Sequence, residues 1–89
     1  MNTIERYKKV FIEIFEINES QLENLKYQDI DAWDSLGHMS MVGALEDEFD
    51  IVLEMDDIID FSSYKKGIET LAKYGVDFKE WTNFKILIK

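Results

Sequence analysis

The apolar and polar positions of this chain alternate with helical periods along most of its length. Ile4, Tyr7, Phe11, Ile14 and Phe15 recur at three- and four-residue intervals, with Glu5, Lys8, Lys9 and Glu13 on the other side. That spacing predicts an amphipathic first helix. Ser20 and Glu23 then stand at capping-box spacing and predict one short turn. The stretch to Asp34 is a long connection, expected to be pinned by Leu22, Leu25, Ile30 and Trp33. A second helix is predicted from Ser35 to about Phe49. Successive residues turn by about 100°, which gathers His38, Met41, Val42, Leu45 and Phe49 into one core-facing arc. Leu36, Ser40, Gly43 and Asp47 fall on the opposite side, with Met39 beside them. After the connector Ile51–Met55, the segment Asp56–Asp60 has room for a short helix, with Ile58, Ile59 and Phe61 expected to turn inward. A last helix begins at Ser62 or Ser63, buries Tyr64, Ile68 and Leu71, and stops at Gly75.

Three main helices and one short one make an all-α fold, a small four-helix bundle. The expected domain is 1–75, followed by a C-terminal extension, 76–89. In that extension Phe78, Trp81, Phe84 and Ile86–Ile88 mix with Lys79, Lys85 and Lys89. It can prolong the last helix, fold back on the bundle or stay mobile.

Composition narrows the function. The 89 residues are 46% hydrophobic, enough for one core. A domain so small buries only a little over half of its unfolded surface, which favours a binding, scaffold or carrier role over a self-contained enzyme. There is no cysteine, so disulfides, zinc–thiolate sites and a cysteine nucleophile are excluded. Any thiol chemistry must use a thiol the chain does not encode. The apolar runs are interrupted by charge before they reach the length of a membrane span. The start, Met1-Asn2-Thr3-Ile4-Glu5, lacks the basic end and apolar run of a signal peptide, so a cytoplasmic protein is the expectation.

The net charge of −9 disfavours nucleic acid and anionic membrane as partners. Its distribution is uneven. Between Lys26 and Lys65 there is no Lys or Arg but eleven acids: Asp29, Asp31, Asp34, Glu46, Asp47, Glu48, Asp50, Glu54, Asp56, Asp57 and Asp60. An acidic block of this kind reads either as a surface for basic partners or as a solvated face.

Catalytic readings find no support. The one histidine, His38, falls on the core side of the second helix, where a satisfied histidine is the simpler reading than a general base. A Ser35–His38 pair has no oxyanion hole that the sequence identifies. No Gly-rich phosphate loop is present. Asp29, Asp31 and Asp34 lack the glycine and terminal Glu of a calcium loop, so no metal site is expected. By local sequence alone, Asp34 and Ser35 read as a helix cap.

The wider context reads differently. Trp33-Asp34-Ser35-Leu36-Gly37-His38-Met39-Ser40-Met41-Val42-Gly43-Ala44-Leu45-Glu46-Asp47-Glu48-Phe49-Asp50 resembles the acyl carrier protein family, stand-alone type. That family's signature is Asp-Ser-Leu at the start of the second helix, followed by an acidic helix ending in Ala-Leu-Glu-x-x-Phe. The resemblance extends over roughly Thr3 to Tyr74. It implies that Ser35, flanked by Asp34 and Leu36, receives 4′-phosphopantetheine from coenzyme A through a phosphopantetheinyl transferase. Acyl intermediates are then held as thioesters on the arm's thiol, which accords with the absence of cysteine.

The resemblance also implies a monomer that is not itself an enzyme. Leu36, Met39, Glu46 and Asp47 form the face read by acyl-loading and acyl-transferring enzymes with basic docking surfaces, and Met41, Val42, Ile58 and Phe61 shelter the cargo. Two positions depart from the pattern. Ser40 stands where an acid is usual and Gly43 where a large apolar residue is usual, which points to a specialised pathway rather than primary fatty-acid synthesis. An aminoacyl or peptidyl carrier would use the same serine chemistry. An acidic helical adaptor without a prosthetic group is the alternative from another class.

Overall fold

The computed structural model describes residues 2–78. It is an all-α globule of four helices: α1 (Thr3–Phe15), α2 (Ser35–Phe49), α3 (Met55–Asp60) and α4 (Tyr64–Ala72), with no strand among the described residues. No helix among them is long and apolar enough to cross a membrane.

Each main helix starts on a side-chain cap. Asn2 accepts from the Glu5 N–H, Asp34 from the Gly37 N–H and Ser63 from the Lys66 N–H, which satisfies donors that the first turn leaves open. α1 and α2 end on Glu16 and Asp50, both in the left-handed conformation at φ 54°, each turning its N–H back to a carbonyl four residues earlier. Gly75, at φ +86°, ends the turn after α4.

The predicted stripe of α1 is its buried face, with Val10 added to Tyr7, Phe11 and Phe15, while Ile4 and Ile14 are half-buried. Phe11 lies at the centre of an aromatic cluster, its ring 5.0 Å from Tyr7, 5.7 Å from Phe15, 5.5 Å from Trp33 and 5.2 Å from Tyr64. The Tyr7 hydroxyl donates to the Tyr64 carbonyl at 2.6 Å. Burial pushes the Tyr7 phenol well above its ordinary pKa, which keeps that donor protonated. Gly67 is required where these rings meet α4. A Cβ there would stand 2.2 Å from both the Phe61 ring and the Tyr7 hydroxyl.

The connection between α1 and α2 is anchored by Leu22, Leu25 and Trp33, all buried, with Ile30 half-buried. Its short 3-10 turn, Glu19–Gln21, is started by Asn18 with Gln21 rather than by the expected Ser20 with Glu23. Both pairs have the right spacing. Asn18 is the one with extended backbone, where a capping residue belongs. The connection is also tied to the start of α4: the Tyr27 N–H donates to the Ser62 carbonyl and the Tyr64 N–H to the Leu25 carbonyl, both at 2.9 Å.

One expectation is overturned outright. Ile59 is 70% exposed, while Ile58 is half-buried and Phe61 buried. Neighbours on a helix point about 100° apart, so in a one-and-a-half-turn helix lying on a surface only one of the two isoleucines can face in. Beyond Gly75, Val76 and Phe78 return to the core, Phe78 packing on Tyr7 at 5.6 Å. The expectations for 79–89 lie outside the described residues.

Candidate functional site

The candidate site is the start of α2, and the reason for its position is local. Asp34 caps the helix, its Oδ1 accepting from the Gly37 N–H at 2.8 Å. Trp33, one residue earlier, is fully buried and stacks on Phe15 with ring centroids 5.2 Å apart. The chain therefore leaves the core at Trp33, turns at Asp34 and presents Ser35 to solvent as the first residue of the helix. Gly37 makes this turn possible. A Cβ at that position would lie 1.9 Å from the Ala32 carbonyl oxygen, so any larger residue would drive the connection away from the helix.

His38 holds the other side of that turn. The Trp33 indole donates to its Nδ1 at 2.9 Å, and its Nε2 lies 2.8 Å from the Ile58 carbonyl. An indole N–H can only donate, so Nδ1 accepts and the ring proton is on Nε2, which donates to Ile58. The histidine is half-buried and satisfied on both nitrogens, as its angular position suggested. It ties the first turn of α2 to α3.

The residues singled out from sequence fall into two groups. Ser35, Leu36 and Met39 stand together at the start of α2, with Leu36 81% and Met39 51% exposed. α3, joined to this end through His38, contributes two further exposed apolar side chains, Met55 and Ile59. Glu46 and Asp47 lie two to three turns further along and are not equivalent. Asp47 is exposed, but Glu46 is half-buried and its Oε2 accepts from the Leu53 N–H at 2.9 Å. Glu46 thus holds the connector after α2 as well as carrying charge. Within the same acidic block, Glu48 is engaged by Arg6 at 2.7 Å, and Asp57 by Lys73 at 2.6 Å and by the Tyr74 hydroxyl. Ser40 is exposed, and a Cβ added at Gly43 would meet nothing within 4 Å. Met41, Val42 and Phe61 are packed in the core and Ile58 lies half-buried beside it.

Sequence reasoning missed one neighbour of the site. The Tyr27 hydroxyl lies 3.3 Å from Ser35 Oγ. Its ring stands edge-on to Trp33 at 6.3 Å and to His38 at 5.5 Å. Seven residues of irregular chain, 28–34, separate Tyr27 from Ser35, and no periodicity carries across such a segment. Among the described residues, no group of three or more His, Asp or Glu side chains is placed to hold a metal ion.

The arrangement is an exposed hydroxyl at the first residue of a capped helix, flanked by exposed apolar side chains, at the end of the helix where the dipole is positive. Comparison with known proteins adds no assignment: no family model, no curated protein and no solved structure matches the chain.

Proposed function

We propose that the chain is an acyl carrier protein, with Ser35 as the attachment point of a 4′-phosphopantetheine arm. The observation that carries this reading is the placement of Ser35. Its hydroxyl is exposed at the first residue of a capped helix, inside a motif that resembles the carrier signature and a stretch free of lysine and arginine.

The residues present fit the group. Ser35 Oγ is open to an incoming enzyme, and a phosphodiester formed there would sit at a helix N-terminus, where backbone N–H groups and the helix dipole favour an anion. The arm would supply the thiol that this cysteine-free chain lacks and bear acyl groups on it as thioesters. The protein's own part is presentation. Asp34, Gly37 and the Trp33–His38–Ile58 chain of hydrogen bonds hold the turn under Ser35 in one geometry. Leu36 and Met39, with Asp47 further along α2, offer a partner an apolar contact framed by negative charge, and such framing acts mainly on encounter rate and choice of partner.

The test is direct. The protein is incubated with coenzyme A, magnesium and a broad-specificity phosphopantetheinyl transferase, and its intact mass is recorded. Addition of one phosphopantetheine to the wild type and none to Ser35→Ala is the expected result. No addition, or one that survives Ser35→Ala, overturns the proposal. For the docking face, Asp47→Lys is expected to slow turnover by cognate enzymes while leaving the helical circular dichroism intact. Glu46→Lys is a poorer probe, because it also removes the acceptor for the Leu53 N–H.

A further inference from the structure

Tyr27 is held more firmly than a loop residue without a task requires. Its N–H is bonded to the Ser62 carbonyl at 2.9 Å, and the next residue, Gln28, donates to the Trp33 carbonyl at 3.0 Å while adopting φ 71°. A non-glycine residue in the left-handed region carries strain, and here it closes the turn that brings Tyr27 back over the start of α2. The ring is wedged edge-on against Trp33 and His38, the two residues that hold that start in place. Backbone and ring together aim the phenol at Ser35, and its oxygen ends 3.3 Å from Oγ.

We infer that Tyr27 is a positioning residue for the modification of Ser35, its hydroxyl orienting Oγ for transfer and afterwards donating to the phosphodiester. This rests on the carrier reading proposed above. A phenol is a better donor than an aliphatic hydroxyl, so Tyr27 donates to a lone pair of Oγ and leaves the serine proton facing the incoming enzyme. In the transfer, Oγ attacks the pantetheine-side phosphorus of coenzyme A. The Oγ–P bond forms as the bond to adenosine 3′,5′-bisphosphate breaks, and the serine proton passes to a base of the transferase. A serine restricted to one rotamer enters that reaction with less orientational entropy to lose. Once the phosphodiester is present, its anionic oxygens are stronger acceptors than Oγ, and the same phenol is placed to donate to them.

Tyr27→Phe removes only the hydroxyl and keeps the ring against Trp33 and His38. It is expected to lower kcat/KM for transfer onto Ser35 by about three- to tenfold, the range of one hydrogen bond, with unchanged thermal unfolding. A structural role would not move the second readout: the 31P chemical shift of the modified protein, which is expected to differ between Tyr27→Phe and the wild type. A third readout needs no variant, since the Hα–Hβ couplings of Ser35 in the unmodified wild type are expected to report a single rotamer. Equal transfer rates and equal 31P shifts overturn the role of Tyr27 while leaving the carrier reading in place. Should Tyr27→Phe fail to fold, rotamer-averaged couplings in the wild type overturn it as well. No mass gain by the wild type overturns the carrier reading, and this inference with it.

Discussion

α1 and α3 are held to the same core by opposite means. α1 has thirteen residues and buries four side chains, three of them aromatic. α3 has six residues and buries none. α3 is held instead by polar contacts to its backbone and to one of its acids. His38 donates to the Ile58 carbonyl, the neighbouring Asp57 is gripped by Lys73 and Tyr74, and the Tyr74 hydroxyl accepts from the N–H of Glu54, the residue just before the helix. A helix anchored through its apolar face has none left to show. One anchored through its backbone and acids can keep Met55 and Ile59 in solvent, and α3 does so beside the helix start that bears Ser35.

The largest effect is expected where burial does the holding. Phe11→Ala removes the centre of the aromatic cluster and should cost about 3–5 kcal/mol in urea unfolding. A cost below about 1 kcal/mol would break the comparison at its strong end. His38→Ala tests the polar side. It strands the indole N–H of Trp33, a fully buried residue, along with the Ile58 carbonyl, and should cost about 2–3 kcal/mol. The near-ultraviolet circular dichroism of the tryptophans should change with it. A loss as small as that of an exposed substitution would mean that α3 is held by something else.

Gly43→Ala is expected to act in the other direction. The glycine sits inside α2, where a Cβ would meet nothing within 4 Å, so alanine should stabilise the fold by about 0.5–1 kcal/mol. Destabilisation would show that this face is packed rather than open. The smallest effect is expected at Asp57. Hydrogen bonds from Lys73 and Tyr74 hold its carboxyl below the ordinary aspartate pKa. A depressed folded value means that the contribution is full above the ordinary value and is lost as pH falls through the folded one. Asp57→Asn should therefore unfold slightly earlier than wild type at neutral pH, with the difference vanishing in acid. A gap that persists at the lowest pH would separate the clasp from its charge.

The same contrast marks what the sequence could disclose. The start and extent of α2 were legible because an N-cap and a continuous helical period fall in one segment, whereas the left-handed Asp50 that ends it came only with the structure. The α1 stripe was legible because five apolar residues repeat with one period. Ile59 was misread because a helix of six residues gives period too few turns to choose between neighbours. The short turn was misplaced because two residue pairs shared the capping spacing and only backbone geometry separates them. At the site, Ser35, Leu36 and Met39 emerged from motif and helical angle, both local properties. The partners of His38, the second task of Glu46 and the approach of Tyr27 to Ser35 came only with the fold, since each depends on irregular chain whose path no pattern encodes.

The central claim concerns one oxygen atom, and one fragment contains it. No lysine or arginine lies between Lys26 and Lys65, so trypsin releases residues 27–65 as a single peptide that holds both Tyr27 and Ser35. After treatment with coenzyme A and a phosphopantetheinyl transferase, tandem mass spectrometry should find this fragment heavier by one phosphopantetheine, with the group at Ser35 and its thiol free to accept an acyl thioester. An unmodified fragment, or a modification on any other residue, would contradict the account.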